Sequence, residues 1–354
     1  MPPERAAAFA PGRVNVIGEH TDYNQGLALP FAIAEGVTVR ARADGTRPPR
    51  IRAQASDLGE HDEFPLEQPA RAAGWRAFAR GTVAELAAAG FPLVGAELEI
   101  SGQVPPGSGL SSSAALEVAL ALALIELGDR GAPGEALARA DRTELARVCS
   151  RVENEWVGAR TGLLDQLASL YGAPDTALCI DFRSLSVAPV ALELGDWRFV
   201  VLDSGERHVH AGSGYNERRA ECARACELLG VSSLREADAR SIATLPQPLR
   251  RRAEHVLGEN QRVLDAVRAL SSGDVGALGG LLDASHVSLR ELYEVSTPAV
   301  EAAVARLHDA GAAGARPVGG GFGGIVLGLF APGVRPPHDA REVRPSVGAH
   351  LLER

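Results

Sequence analysis

Strand-forming and helix-forming runs cluster along this chain instead of alternating, and that order is the strongest constraint on its fold. Leu27–Ile33 and Val37–Ala43 read as short strands, with turn residues such as Asp44-Gly45 behind them. Trp75–Ala89 has helical spacing and Val94–Val104 alternates as a strand. Ser111–Leu127 is rich in Ala and Leu, with three serines at its start and Gly128-Asp129 at its stop, so a helix is expected there. Another helix is expected over about Asp141–Val157, followed by strands near Ala177–Asp181, Ser186–Val190 and Trp197–Asp203. From Ser213 the texture turns helical, over about 213–229, 248–271, 274–293 and 298–310. Thr297-Pro298 is a start signal, an N-cap candidate with proline at the first helical position. A Gly-rich turn, Gly319–Gly324, and an apolar strand, Ile325–Phe330, come last. A doubly wound sheet needs strands and helices in alternation, so the expected class is α+β in both halves.

At 354 residues the chain exceeds one ordinary core and suits two domains of about 150–200 residues each. The change of texture near 175–195 divides it into 1–180 and 181–354. A net charge of −9 argues against a sequence-independent grip on nucleic acid or anionic lipid. The chain contains no lysine, so all 36 of its Lys-or-Arg residues are arginine. That excludes the P-loop lysine, the protein-kinase strand lysine and Schiff-base chemistry together. Phosphates would have to be met by helix N-termini, a divalent metal and arginine. Ala6–Ala10 is too short for a signal segment, and no run of eighteen apolar residues follows. The expected setting is therefore the cytoplasm, with no membrane partner, and a monomer. Cys149, Cys179, Cys222 and Cys226 lack paired metal spacing and read as packing residues.

Three segments carry chemistry. In Pro105–Ala115, glycines permit close backbone approach and Ser111, Ser112 and Ser113 stand at a helix start. A helix N-terminus offers unpaired N–H groups and about half a positive charge, which suits a triphosphate; the plain alternative is a capped core helix. Gly319-Gly320-Gly321-Phe322-Gly323-Gly324 satisfies GxGxxG, but a dinucleotide fingerprint needs a helix after it. Here a strand follows, so a strand–turn–strand loop is expected, either approaching a ligand or simply turning the chain. Gly12–Asn24 packs Arg13, Asn15, Glu19, His20, Thr21 and Asp22 between two apolar strands. That density of hydrogen-bonding groups suits a polyhydroxylated ligand, since each buried hydroxyl left unpaired costs about 1–3 kcal/mol. An ordinary polar loop is the alternative.

PGRVNVIGEHTDYN (11–24) resembles the galactokinase signature, and PPGSGLSSSAALEVA (105–119) resembles the ATP-binding motif shared by the GHMP kinases. Val318–Gly324 resembles their third motif. Glu153–Gln166, and Ser285–Arg290 with Tyr293–Ser296, also match the galactokinase pattern. Five collinear matches between about 11 and 330 are not chance. The resemblance implies a two-domain GHMP-kinase-like fold with its site in the cleft between domains. It implies an ATP-dependent sugar kinase that transfers the γ-phosphate to the anomeric hydroxyl of galactose.

By the same resemblance Asp165 is the base on that hydroxyl and Arg13 its cationic neighbour, which also serves to stabilise the moving phosphoryl group. Arg13, Glu19, His20, Asp22, Gly162, Asp165 and Tyr215 correspond to the sugar-binding set, with core packing as the alternative for Tyr215. Gly107, Ser108, Gly109, Leu110, Ser111, Ser112, Ser113 and Ala114 correspond to the ATP-binding segment. Trp75 falls beside the adenine in the family and serves equally well as a core residue. Ser113 and Glu153 correspond to magnesium ligands, an oxygen pair that Mg²⁺ accepts alongside water and phosphate oxygens. The competing readings are a kinase for N-acetylgalactosamine, galacturonate or arabinose, and a catalytically silent galactose sensor.

Overall fold

The computed structural model describes residues 4–104, 109–129, 131, 134, 140–206 and 211–353, with the side chains of 211–213 also outside the description. β1 (Arg5–Asn15) and β3 (Pro30–Ala43) pair antiparallel and form the centre of a six-stranded sheet. Its order is β13 (His350–Leu351), β1, β3, β6 (Ala96–Gly102), β4 (Arg50–Ala55) and β5 (Glu60–Pro65). The two short strands expected at 27–33 and 37–43 are mostly one strand, because Ala34–Gly36 continues the extended backbone opposite β1. β2 (Leu27–Ala28) instead joins β7 (Thr176–Asp181) and β8 (Ser186–Ala191) in a three-stranded sheet.

Against the six-stranded sheet lie α1 (Trp75–Ala88) and α2 (Ser112–Gly128). Ala114 through Gly128 are all buried. A helix apolar on every side must be enclosed, and α2 is covered by the sheet on one side and by α1 and helices Arg142–Arg151 and Leu164–Tyr171 on the others. The helix expected over 141–157 is α-helical only to Arg151; Val152–Val157 widens into a π-helix, with Gly158 N–H donating back to Glu153 C=O.

Beyond 190, β9 (Arg198–Asp203) forms a sheet in the order β10 (Gly314–Pro317), β11 (Ile325–Phe330), β9, β12 (Arg341–Val343). Helices Ala211–Leu229, Leu249–Ser271, Ala277–Glu291 and Pro298–Asp309 match the expected helical texture. The Thr297 side chain accepts from Val300 N–H, as the start signal predicts. The Gly-rich turn joins β10 to β11 antiparallel, which is the strand–turn–strand arrangement and no dinucleotide fold. A division at residue 180 falls within the paired hairpin β7–β8. One core cluster combines Val14, Ile17 and Phe31 with Phe199, Val263 and Leu327, and β13 returns to pair with β1. Compositional texture marks where helices begin to dominate, not where packing between the halves ends.

Candidate active site

β1 carries Arg13 to the end of the central sheet, and the loop behind it turns back through Gly18 at φ +100°, where any side chain is strained. A Cβ at Gly18 would also sit 2.5 Å from the Leu27 carbonyl oxygen. Helix Leu249–Ser271 clasps this loop along one face. Glu259 Oε1 accepts the Gly18 N–H at 3.0 Å, Asn260 Oδ1 accepts the Leu27 N–H at 2.8 Å, and His255 Nε2 donates to the Glu19 carbonyl at 3.2 Å. Helix Ala277–Glu291 supports the clasp from behind: Ser285 Oγ donates to Glu259 at 2.7 Å, and Ser288 Oγ lies 2.8 Å from His255 Nδ1. Burial pushes the Glu259 pKa up, but Arg262, His255, Arg316 and the Ser285 hydroxyl outweigh it and hold the group at about 2. Burial lowers His255 to about 4, so its ring is neutral and donates through Nε2. The 285–290 match thus acts through buried serines behind the loop.

Arg13 Nε donates to Asp165 Oδ1 at 2.8 Å, and its Nη1 donates to the Gly109 carbonyl at 2.6 Å. The other Asp165 oxygen accepts from Ser111 Oγ at 2.5 Å. Ser111 stands at the N-cap of α2 in the left-handed region, φ 61°, and its hydroxyl makes no capping bond. The first turn of α2 is therefore uncapped by that side chain, leaving N–H groups for an anion. Ser113 Oγ donates to Glu153 Oε1 at 2.6 Å, while Thr161 Oγ1 and Gln166 Nε2 donate to Oε2 at 2.5 and 3.3 Å. Burial, then the charge of Asp165, raises the Glu153 pKa despite those donors. Glu117, buried in α2, is pushed well up by burial and by Glu153. An oxygen-only donor set with this surplus of buried acid fits a hard divalent cation.

At the other end, Glu19 Oε1 accepts the Gly319 N–H at 2.8 Å and lies 3.1 Å from Arg316 Nη2. Asp22 has its pKa raised to about 6, first by burial and then by the carboxylates of Asp165 and Glu19, against the Tyr23 N–H that lowers it. A Cβ at Gly162 would stand 2.0 Å from Asp22 Oδ2, so only glycine lets that carboxylate reach its place. Burial lowers His20 to about 3, keeping it neutral. Tyr215, on helix Ala211–Leu229, has its ring 5.2 Å from that of His20.

These residues line one cavity of about 560 Å³. Arg13, Glu19, His20, Asp22, Gly109, Ser111, Ser112, Ser113, Glu153, Gly162, Asp165 and Tyr215 all contribute, together with Gly319–Gly321 of the Gly-rich turn. Leu110 and Ala114 do not: both are buried, Leu110 in the apolar cluster that holds Phe31 and Leu327. Trp75 is absent from the lining as well; its indole N–H donates to Glu60 at 2.9 Å, and Phe78, one turn further along α1, lines the cavity instead. Gly107 and Ser108 lie outside the described residues. Sequence reasoning missed His255, Glu259, Asn260 and Arg316. They sit on ordinary-looking helix and strand positions and touch the site mostly through backbone atoms, Arg316 meeting the Glu19 carboxylate as well, which leaves no spacing signal.

Three family models match the chain: the galactokinase galactose-binding signature at residues 2–43, the GHMP kinases N terminal domain at 77–173 and the GHMP kinases C terminal domain at 266–351. A galactokinase of Mycobacterium tuberculosis is 46% identical over 346 residues, covering 96% of this chain and 91% of that protein. One from Roseiflexus is 41% identical over 90% of this chain and 82% of its own length. The crystal structure of Lactococcus lactis galactokinase complexed with galactose superposes with a TM-score of 0.88 at 30% identity, covering 99% of this chain and 95% of that one. With the galactose-binding signature, both kinase domains and this extent of identity, the chain belongs to the galactokinase family of GHMP kinases.

Proposed function

We infer that this ATP-dependent sugar kinase transfers the γ-phosphoryl group of ATP to the anomeric hydroxyl of galactose, giving galactose 1-phosphate and ADP. The observation that carries the reading is the convergence on one cavity of the signature residues Glu19, His20 and Asp22 with the Arg13–Asp165 pair and the start of α2. In the proposed reaction the sugar oxygen forms a bond to the γ-phosphorus as the bridging P–O bond breaks, and the hydroxyl proton passes to Asp165. Arg13 orients that carboxylate and carries charge near the moving group. Asp22 and Glu19 accept sugar hydroxyls, and His20 adds a neutral polar contact. The N-terminus of α2 and the Gly109 and Gly319–Gly321 backbone lie where the triphosphate would run. Ser113 and Glu153 would hold Mg²⁺, which neutralises phosphate charge when bound.

An ADP-release assay with a hexose panel tests the substrate. Galactose should turn over at least tenfold more efficiently than its epimers or its N-acetylated and oxidised relatives, since lost hydroxyl pairing costs about 1–3 kcal/mol. No ADP release with any sugar would leave the sensor reading. For the metal, Glu153→Ala should raise the Mg²⁺ concentration giving half-maximal rate, and an unchanged titration would remove Glu153 from the site.

A further inference from the structure

Arg316 stands in β10, an edge strand whose four residues are all buried, and it is 0% exposed. A guanidinium keeps its proton in any protein setting, so one removed from water has to be paired by oxygens. Arg316 Nη1 donates to the carbonyls of Asn15 and Val16, each at 2.8 Å, where β1 gives way to the signature loop. Its Nη2 forms an ion pair with Glu19 Oε1 at 3.1 Å. Glu259 also feels this charge, but its own carboxylate is taken by Arg262, the Gly18 N–H and Ser285. Among the described residues, Glu19 is the acid that Arg316 meets within ion-pair distance.

Glu19 is 4% exposed and lines the cavity, whereas Arg316 does not reach it. A glutamate side chain turns about three bonds and, left free, would carry its carboxylate through several orientations. Here both contacts fall on one oxygen: Oε1 meets Arg316 and also accepts the Gly319 N–H at 2.8 Å. Oε2 accepts from none of the described residues, and it is not sealed in the protein as Glu117 Oε1 is, so it is the oxygen left for the cavity. Arg316 in β10 and Gly319 in the turn behind it belong to one element, which supplies both grips. The two loop carbonyls fix the guanidinium in turn, so loop backbone and loop carboxylate are held by the same group.

An arginine that only filled this space would be a poor choice. Apolar residues of similar volume commonly replace a buried ion pair without loss of stability, and removing one partner alone is what costs. An apolar residue cannot, however, hold a carboxylate in a chosen orientation. We propose that Arg316 is a positioning residue that grips one oxygen of Glu19 and so aims the other at a hydroxyl of the sugar. The role rests on the sugar-kinase reading above. Discrimination at one hydroxyl then depends on a residue that never touches the substrate, because a carboxylate out of place leaves that hydroxyl unpaired.

Calorimetry on the full chain tests it, with galactose, derivatives each lacking one hydroxyl, and ATP. In the wild type the derivative without the hydroxyl that Glu19 accepts should bind about tenfold more weakly than galactose or worse. Glu19→Gln identifies that hydroxyl, as the one at which discrimination falls. Arg316→Lys keeps the charge and gives up the fork. It should weaken galactose about tenfold and narrow discrimination at that same hydroxyl, with ATP affinity within about twofold. Arg316→Met, of similar volume and uncharged, should weaken galactose about a hundredfold, and by less than about threefold once Glu19→Gln is already present. Equal weakening of every sugar and of ATP, or the full loss repeated in the Glu19→Gln background, would show that Arg316 only supports the fold and would overturn the proposal. Unchanged galactose affinity in both variants would overturn it as well. Should Arg316→Met fail to fold, Arg316→Lys decides by the same comparison among the sugars. A wild type that binds none of these sugars refutes the substrate reading itself, and this role falls with it.

Discussion

Both oxygens of Asp165 are held, one by Arg13 and the other by Ser111, so its orientation is set by two elements that meet only in the folded chain. Asp165→Asn keeps the shape and cannot take the hydroxyl proton. Turnover should fall by roughly 10²–10⁴-fold while calorimetry finds galactose and ATP bound within a few-fold. Near-normal turnover would leave catalysis to charge stabilisation by Arg13 and the metal. Asp22 is the reverse case, since its folded pKa of about 6 lies above its ordinary value of 3.8. Between those values the folded state binds more proton than the unfolded one, so this group's contribution to stability falls as pH rises through the window. Above pH 6 the full penalty stands, and it vanishes below 3.8. Asp22→Asn should therefore raise the melting temperature at pH 8, by less at pH 5, while galactose affinity drops about 10–1000-fold. A variant that melts lower at pH 8 would show that the carboxylate stabilises the loop instead.

At the scale of elements, helix Leu249–Ser271 works as a clamp: its residues 255, 259 and 260 hold the backbone of the signature loop. Glu259→Ala would release the Gly18 N–H and leave Arg262 without its carboxylate. The expected loss is about 3–5 kcal/mol, visible as a lower denaturant midpoint, with galactose KM rising more than ATP KM. Equal weakening of both ligands would mean that the clamp serves general folding. The helix expected through residue 157 illustrates a boundary that sequence leaves open. A π-helical segment has the same composition as an α-helical one, and here it carries Glu153 toward Ser113 and Thr161.

For the molecule as a whole, the two halves share a core and a cavity, and buried ionisable groups make their union sensitive to acid. His20 and His255, lowered to about 3 and 4, stay neutral in the folded state while the unfolded chain protonates them near 6.5. The unfolded state then binds more proton, so their contribution to stability is complete above about pH 6.5 and is lost as pH falls toward those values. His255→Gln keeps a donor for the Glu19 carbonyl and cannot titrate. Its stability should fall less steeply between pH 6.5 and 4 than that of the wild type, measured by urea unfolding. Parallel slopes would show that His255 takes up its proton in the folded protein as readily as in the unfolded chain.

Sequence alone determined the α+β class and the positions of most helices, and through its resemblance to the GHMP kinases most of the named residues that converge on the cavity. Each of those depends on local pattern: helical spacing, cap residues, or a contiguous motif such as 11–24 or 162–166. It also excluded lysine chemistry, which composition states outright. Only tertiary structure decided that Ser111 turns its hydroxyl from capping to Asp165, that Phe78 and not Trp75 reaches the cavity, and that Gly162 is small because Asp22 occupies its space. The same holds for His255, Glu259 and Asn260, more than 230 residues from the backbone atoms they hold. Side-chain direction and contacts between distant segments follow from how whole elements pack, and no window of sequence contains both partners.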